Sequence, residues 1–206
     1  NDPDGRYGAT KWKAIFVCLT MELSGMSEAQ RNECPLERIV IPHGGFDVVY
    51  ADPPWRYGFS KSGSRKIENQ YPTMSTAEIC ALKVPSATDS VLYLWTTAPK
   101  LLEGLEVMKA WGFEYKTQAI WDKEKIGMGY WFRGQHEILL VGTKGKFSPP
   151  AQGARTGSVY RFRRGQHSKK PDEIRELIST WFPNAARLEM FCRFPADGWA
   201  VWGNEV

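Results

Sequence analysis

Apolar positions along this chain follow two rhythms, short continuous runs and helical repeats, and they alternate. Phe46–Ala51 reads Phe-Asp-Val-Val-Tyr-Ala, a β-branched and aromatic run bounded by Gly44-Gly45 and Pro53-Pro54, and predicts a buried parallel strand. Residues 90–96 predict a second strand, residues 115–121 and 137–143 two more, and residues 187–192 and 199–202 the last. Helical spacing governs residues 99–111, where Leu101, Leu102, Leu105, Met108 and Trp111 recur with the helical period and Gly112 supplies a stop. A second helix is predicted over residues 171–181, with Pro171 at its first turn. Ser75 and Glu78 have capping-box spacing ahead of Ile79, Leu82 and Val84, which starts a short helix there. Residues 56–69, rich in Gly, Ser and Lys, bury little and predict a mobile loop, a lid beside a strand end. The alternation implies an α/β fold with a mostly parallel sheet and helices on both faces. Residues 1–40 carry weak periodicity apart from a helix through 27–33; they form an N-terminal extension without an assigned role, and residues 41–206 form one domain.

Composition narrows the class. A chain of 206 residues, 42% hydrophobic and 24% charged, buries a core without metal or disulfide staples. Cys18, Cys34, Cys80 and Cys192 are widely spaced with no Cys-x-x-Cys, which argues against a zinc ribbon or a thioredoxin motif and for reduced thiols in a cytoplasmic protein. No metal is expected. No apolar run approaches the roughly 20 residues of a membrane span, and residues 1–13 resemble no secretory signal. The net charge of +4 is mild, but its distribution is not even. Arg155, Arg161, Arg163, Arg164, Lys169 and Lys170 crowd one stretch with Tyr160 and Phe162, the mixture that phosphate neutralisation and base stacking require. The plainer reading of that stretch is a solvated basic loop.

Asp52 follows the first strand directly, and ligands of open α/β sheets bind outside the carboxyl ends of strands. Taken alone, Asp52-Pro53-Pro54-Trp55 is either the centre of a site or a turn that ends a strand. Its company decides. In order come Tyr71-Pro72-Thr73-Met74-Ser75, Leu94-Trp95-Thr96, Trp111-Gly112-Phe113, Ile120-Trp121-Asp122-Lys123 and Glu137-Ile138-Leu139-Leu140-Val141-Gly142. His167-Ser168-Lys169-Lys170-Pro171-Asp172-Glu173, Leu188-Glu189-Met190-Phe191-Cys192-Arg193 and Trp202-Gly203-Asn204-Glu205 complete the series. Over residues 46–206 the chain resembles the DPPW-type adenine N6-methyltransferases, the family that includes the catalytic subunit of the eukaryotic messenger-RNA adenosine methyltransferase and many bacterial and phage enzymes.

The resemblance implies a Rossmann-like methyltransferase fold in permuted order, with the catalytic strand early and a cofactor-binding Phe-x-x-Arg-like segment near the C-terminus. It implies S-adenosyl-L-methionine as cofactor. Asp52 and the Pro53 carbonyl would accept the two hydrogens of an adenine amine and localise its lone pair, Pro53 and Pro54 would fix the backbone, and Trp55 and Tyr57 would stack on a flipped base. Tyr71 and Glu137 would shape the acceptor pocket, with Arg161, Arg163 and Arg164 on the nucleic acid. Asp52, Lys170, Phe191, Arg193, Asn204 and Glu205 would hold the cofactor. Each has a duller reading: Lys170 as a residue at a helix start, Arg193 as a surface ion pair, Glu137 as a strand-end cap. Cys192 stands where relatives carry Gly or Ala and narrows the room for close backbone approach.

The function expected is methylation of the adenine N6 amine in DNA, because small chains ending in Trp-Gly-Asn-Glu resemble the bacterial and phage enzymes. The alternatives are an RNA adenosine N6-methyltransferase and a non-catalytic nucleic-acid-binding partner subunit. DNA is thus the expected partner, ahead of RNA, with no membrane, and with a homodimer or a partner subunit left open.

Overall fold

A computed structural model describes residues 39–57, 73–163 and 169–203. The elements are β1 Phe46–Ala51, α1 Thr76–Cys80, β2 Ser86–Thr96, α2 Leu101–Ala110, β3 Glu114–Asp122, β4 His136–Lys144, β5 Val159–Arg161, α3 Asp172–Trp181, β6 Arg187–Met190 and β7 Ala200–Trp202. Seven strands form one sheet in the order β5-β3-β4-β2-β1-β6-β7. β1 pairs in parallel with β2 and β6, β6 with β7, and β3 with β5, whereas β4 runs antiparallel to both β2 and β3. Among the described strands β4 alone is reversed, so its first residues share an edge with the last residues of all the others.

Alternation along the strands feeds two cores. Val49 and Ala51 of β1 and Leu92 and Leu94 of β2 face one cluster, completed by Ile79 and Leu82 from the α1 region and by Val107, Met108 and Trp111 from α2. Val48, Tyr50, Val91, Tyr93 and Trp95 face the other, with Ile174 and Ile178 of α3. Helices thus cover both faces, as the sequence implied. Trp95, Trp121 and Trp202 are fully buried; each removes on the order of 200 Å² from water, an upper contribution of about 5 kcal/mol.

The structure adjusts several boundaries. β2 begins four residues earlier than the apolar run, because Ser86 pairs with Phe46 beyond a register shift. Pro99 lies in a separate 3-10 turn, Ala98–Lys100, so α2 starts only at Leu101. The capping box is formed in full: Ser75 accepts from the Glu78 backbone while the Glu78 carboxylate takes the Ser75 N–H. The stretch read as a basic loop holds a short edge strand, β5, paired with β3. The 1–38 segment, with its expected helix, and residues 58–72, which contain most of the expected lid, lie outside the described residues. No described helix is long and apolar enough to cross a membrane.

Candidate active site

The register fixes where the chemistry stands. Ala51 is level with Leu94 on one side and Met190 on the other, so Asp52 emerges one step beyond, between Trp95 and Phe191. Lys170, just ahead of α3, reaches across 118 positions of sequence to donate from Nζ to Asp52 Oδ2 at 2.6 Å. The same ammonium lies 3.3 Å from Glu137 Oε2, and Glu137 Oε1 accepts from Lys123 Nζ at 3.1 Å. Lys170 also sits 5.7 Å over the Trp95 ring. Three strand ends (β1, β3 and the reversed start of β4) and one helix start therefore converge on an Asp52–Lys170–Glu137–Lys123 chain. Its members differ in access: the Asp52 side chain is 35% exposed, those of Lys170 and Glu137 13% and 15%.

Two carboxylates share one ammonium; Glu137 has Lys123 as a hydrogen-bonded second cation, and Asp52 feels Arg193 only as a smaller electrostatic contribution. Burial, with a smaller contribution from the Glu137 charge, raises the Asp52 carboxyl above its usual range despite Lys170. Glu137 is also penalised by burial, yet Lys170 and Lys123 together bring it below the ordinary range. Lys170 is costly to bury, but the two carboxylates more than offset this and hold it protonated. The upward shifts of both Asp52 and Lys170 agree with this sharing: the cation gains from two anions, and each anion gains from only part of the cation.

The Asp-Pro-Pro-Trp backbone is locked. Pro53 and Pro54 are buried; the Pro53 carbonyl accepts the Trp55 N–H at 2.8 Å and the Pro54 carbonyl the Met74 N–H at 2.8 Å. Trp55 and Met74 form a bridge there. Trp55 departs from the expectation of a stacking platform. It is 4% exposed within the core, and its Nε1 donates to the Trp95 carbonyl at 3.1 Å. A local motif does not reveal an acceptor 40 residues away that pulls the indole inward. Tyr57 is half-buried; its hydroxyl lies 2.8 Å from Thr97 Oγ1, Lys100 stands 5.7 Å over its ring, and burial pushes the phenol up to about 12.

On the other side of Asp52 opens a shallow polar cleft, lined by Asp52, Lys170, Phe191, Arg193 and Glu189, among others. Phe191, directly after β6, has φ 62°, a left-handed turn that non-glycine residues adopt at a cost. The turn brings the Cys192 N–H onto the Trp202 carbonyl at 3.0 Å. A Cβ on Gly203 would stand 2.1 Å from the Cys192 carbonyl, so Gly203 packs closely on the Cys192 backbone, and the Cys192 side chain is buried. Arg175 braces the same turn, donating to Glu189 Oε2 at 2.6 Å, to the Phe194 carbonyl at 2.9 Å and to Asp172 Oδ1 at 2.8 Å.

The expected basic surface divides. Lys170 turns into the site, while Arg161 and Arg163 stay exposed and face carboxylates, Asp122 at 3.2 Å and Glu124 at 3.8 Å. Their charge is thus partly matched, less than the sequence suggested. Tyr71, Arg164, Asn204 and Glu205 lie outside the described residues. The sequence reading missed Lys123, Arg175 and Glu189, whose partners are remote, and Tyr50, whose buried hydroxyl accepts from Trp95 Nε1 at 2.7 Å beneath Asp52. Among the described residues no His, Cys, Asp and Glu group is arranged to hold a metal ion. A larger, apolar groove beside α3, lined by Tyr93, Val141 and Ile178 among others, contains none of the expected catalytic, substrate-binding or cofactor-binding residues, although Arg155 and Tyr160 of the basic stretch line it.

Comparison with known proteins matches the family described as MT-A70 over residues 46–205. The chain is 36% identical over 195 residues to the Type II methyltransferase M.MunI of Mycoplasma sp, covering 84% of this chain and 83% of that protein. It is 31% identical over 211 residues to the human N(6)-adenosine-methyltransferase catalytic subunit METTL3, covering 92% of this chain and 34% of that one. An N(6)-adenosine-methyltransferase MT-A70-like protein of Arabidopsis thaliana is 31% identical over 193 residues, covering 88% of this chain and 27% of its own length. The chain therefore spans about a third or less of these two eukaryotic relatives.

Proposed function

The chain belongs to the MT-A70 family and is a methyltransferase, and we propose that it transfers a methyl group from S-adenosyl-L-methionine to the N6 amine of adenine in DNA, residues 41–206 being the catalytic domain. The observation that carries this reading is the placement of Asp52: a partly exposed carboxylate at the end of the central strand, neutralised by Lys170 and opening on a polar cleft. The likeness to the Type II methyltransferase M.MunI, at 36% identity over 84% of this chain, supports the DNA substrate over RNA. Free thiols at Cys80 and Cys192 fit a cytoplasmic setting.

The cleft suits the cofactor. Its donor set combines cations for a carboxylate, Lys170 and Arg193, with anions for an ammonium or ribose hydroxyls, Asp52 and Glu189, and one aromatic face, Phe191. When bound there, S-adenosyl-L-methionine would supply a methyl group on a sulfonium, whose C–S bond breaks as the N–C bond forms so that it leaves as a neutral thioether. The protein's work is on the amine. With Oδ2 held by Lys170, Asp52 offers Oδ1 to one amino hydrogen, and the Pro53 carbonyl, which has one lone pair beyond that given to Trp55, offers itself to the other. Both contacts localise the nitrogen lone pair, and the proton released on N–C bond formation passes to Asp52 or to solvent. Lys170 opposes the upward push of burial on the Asp52 carboxyl and so favours its ionised, accepting form. Tyr57, held by Thr97 and Lys100 and within the electrostatic reach of Glu137 and Asp52, is the aromatic face for the base.

The test is methyl transfer from labelled cofactor to matched mixed-sequence DNA and RNA oligonucleotides by wild type and Asp52→Ala. Adenine methylation of DNA is expected, with a loss of at least a hundred- to a thousandfold in the variant. Undiminished transfer by Asp52→Ala would overturn the mechanism, and methylation of RNA alone would overturn the substrate.

A further inference from the structure

Between β3 and β4 the chain does not meander; it continues the hairpin. The Lys123 N–H donates to the Gln135 carbonyl at 2.9 Å, the Gly127 N–H to the Gly134 carbonyl at 2.8 Å, and Arg133 Nε to the Gly127 carbonyl at 2.6 Å. Glycine is needed twice in this ladder: a Cβ on Gly127 would meet the Gly134 carbonyl at 2.7 Å, and one on Gly129 the Phe132 carbonyl at 1.9 Å. The result is a braced finger, and its tip is aromatic. Tyr130, Trp131 and Phe132 are 97%, 96% and 91% exposed. Three adjacent aromatic rings in water have no use in folding this chain, and such a patch marks an interaction site.

Its position says what it meets. The finger springs from Asp122 and Lys123 at the end of β3 and returns at His136 and Glu137 at the start of β4, on the edge that carries Asp52. Phe132 stands five positions before Glu137, so at about 3.3 Å per position the tip lies within roughly 16 Å of the site, about five base steps along a strand. Lys125 and Arg133 flank the rings, and Arg161 and Arg163 project from the same edge. Three such rings expose roughly 450–750 Å², below the ~800 Å² per partner of a stable protein interface. Single rings bordered by cations are, however, the platform on which unstacked bases settle.

We propose that the Tyr130–Trp131–Phe132 tip is a nucleic-acid-stacking finger that engages bases next to the target adenine and holds the strand open while that adenine occupies the site. This rests on the nucleic-acid reading of the Asp52 site. The test compares wild type with a Tyr130→Ser, Trp131→Ser, Phe132→Ser variant and with Trp131→Ser alone, by fluorescence anisotropy. The probes are a mixed-sequence 30-base DNA strand, its duplex with one abasic position, and RNA of the same sequence. Cofactor affinity is measured by calorimetry and mass by sedimentation.

The triple variant is expected to bind the single strand and the abasic duplex ten- to a hundredfold more weakly. The slope of log Kd against log salt should not change, because the rings carry no charge. Cofactor affinity and mass should stay as in wild type. Equal nucleic-acid affinity in wild type and triple variant overturns the finger and leaves the methyltransferase reading intact. A change of mass with nucleic-acid affinity retained overturns it in favour of protein docking. Failure of wild type to bind or methylate any of the three probes overturns both readings.

Discussion

Lys170→Met offers the sharpest quantitative test of the site. The substitution keeps most of the stem that lies over Trp95 and removes the charge. At an effective dielectric constant of about 20, an ammonium 2.6 Å and 3.3 Å from two carboxylates interacts with them by about 6 and 5 kcal/mol, before desolvation is subtracted. Removing one member of a buried pair costs about 3–5 kcal/mol net. The Asp52 side chain is 35% exposed and Glu137 keeps Lys123, so a loss of about 2–3 kcal/mol is expected at pH 8, or roughly 5–10 °C in Tm. The loss should shrink towards pH 5. In wild type the Glu137 carboxyl is lowered, so its contribution is present above the unfolded-state value and is lost as pH falls. Lys170 is raised, so its contribution is complete throughout this window and would disappear only at far higher pH. In the variant both carboxyls rise above their unfolded values and are relieved by protonation as pH falls. Chemical denaturation of both proteins at pH 5, 6.5 and 8 reads the difference directly. A loss that does not vary with pH, or no loss at pH 8, would refute the shared-cation account.

Three further outcomes are expected. Gly203→Ala places a methyl 2.1 Å from the Cys192 carbonyl, so the β7 end must move; a fall in stability of roughly 2 kcal/mol or more, seen by denaturation, should come with weaker cofactor binding by calorimetry. Arg175→Met removes three hydrogen bonds bracing the turn after β6, and steady-state kinetics should show the cofactor KM rising about tenfold with kcat little changed. Charge reversal of Arg161 and Arg163, which face Asp122 and Glu124, should flatten the salt dependence of DNA binding, by about one unit of slope for each phosphate no longer neutralised; an unchanged slope would remove this edge from the docking surface.

Much of the frame was legible in local sequence because it depends on local rules. The run ending at Ala51, the helical spacing before Gly112 and the Ser75–Glu78 box all reappear as elements. Asp52 was placed by position alone, one residue past a buried strand. What local sequence hid was long-range pairing. Lys170 looked like one of several basic loop residues until α3 carried it to Asp52 and Glu137. Trp55 looked available for stacking because an aromatic beside a motif gives no sign of burial. β5 was missed because three residues, one of them Arg161, carry too little apolar pattern to register. The polar first residues of β2, with Thr88 and Asp89 exposed, hid the half of that strand that pairs only at its start.

The reversal of β4 has an architectural consequence. In a fully parallel sheet the chain leaving β3 would have to cross over the body of the domain before the next strand could begin. Here it doubles straight back, so residues 124–135, beyond the Lys123 that holds Glu137, hang from two adjacent strands paired from Glu114–Thr143 to Asp122–His136. Insertions, deletions or wholesale replacement of that appendage would leave the core and the Glu137 position undisturbed. Retargeting this scaffold to a different polymer or sequence context thus becomes a matter of editing one exposed appendage.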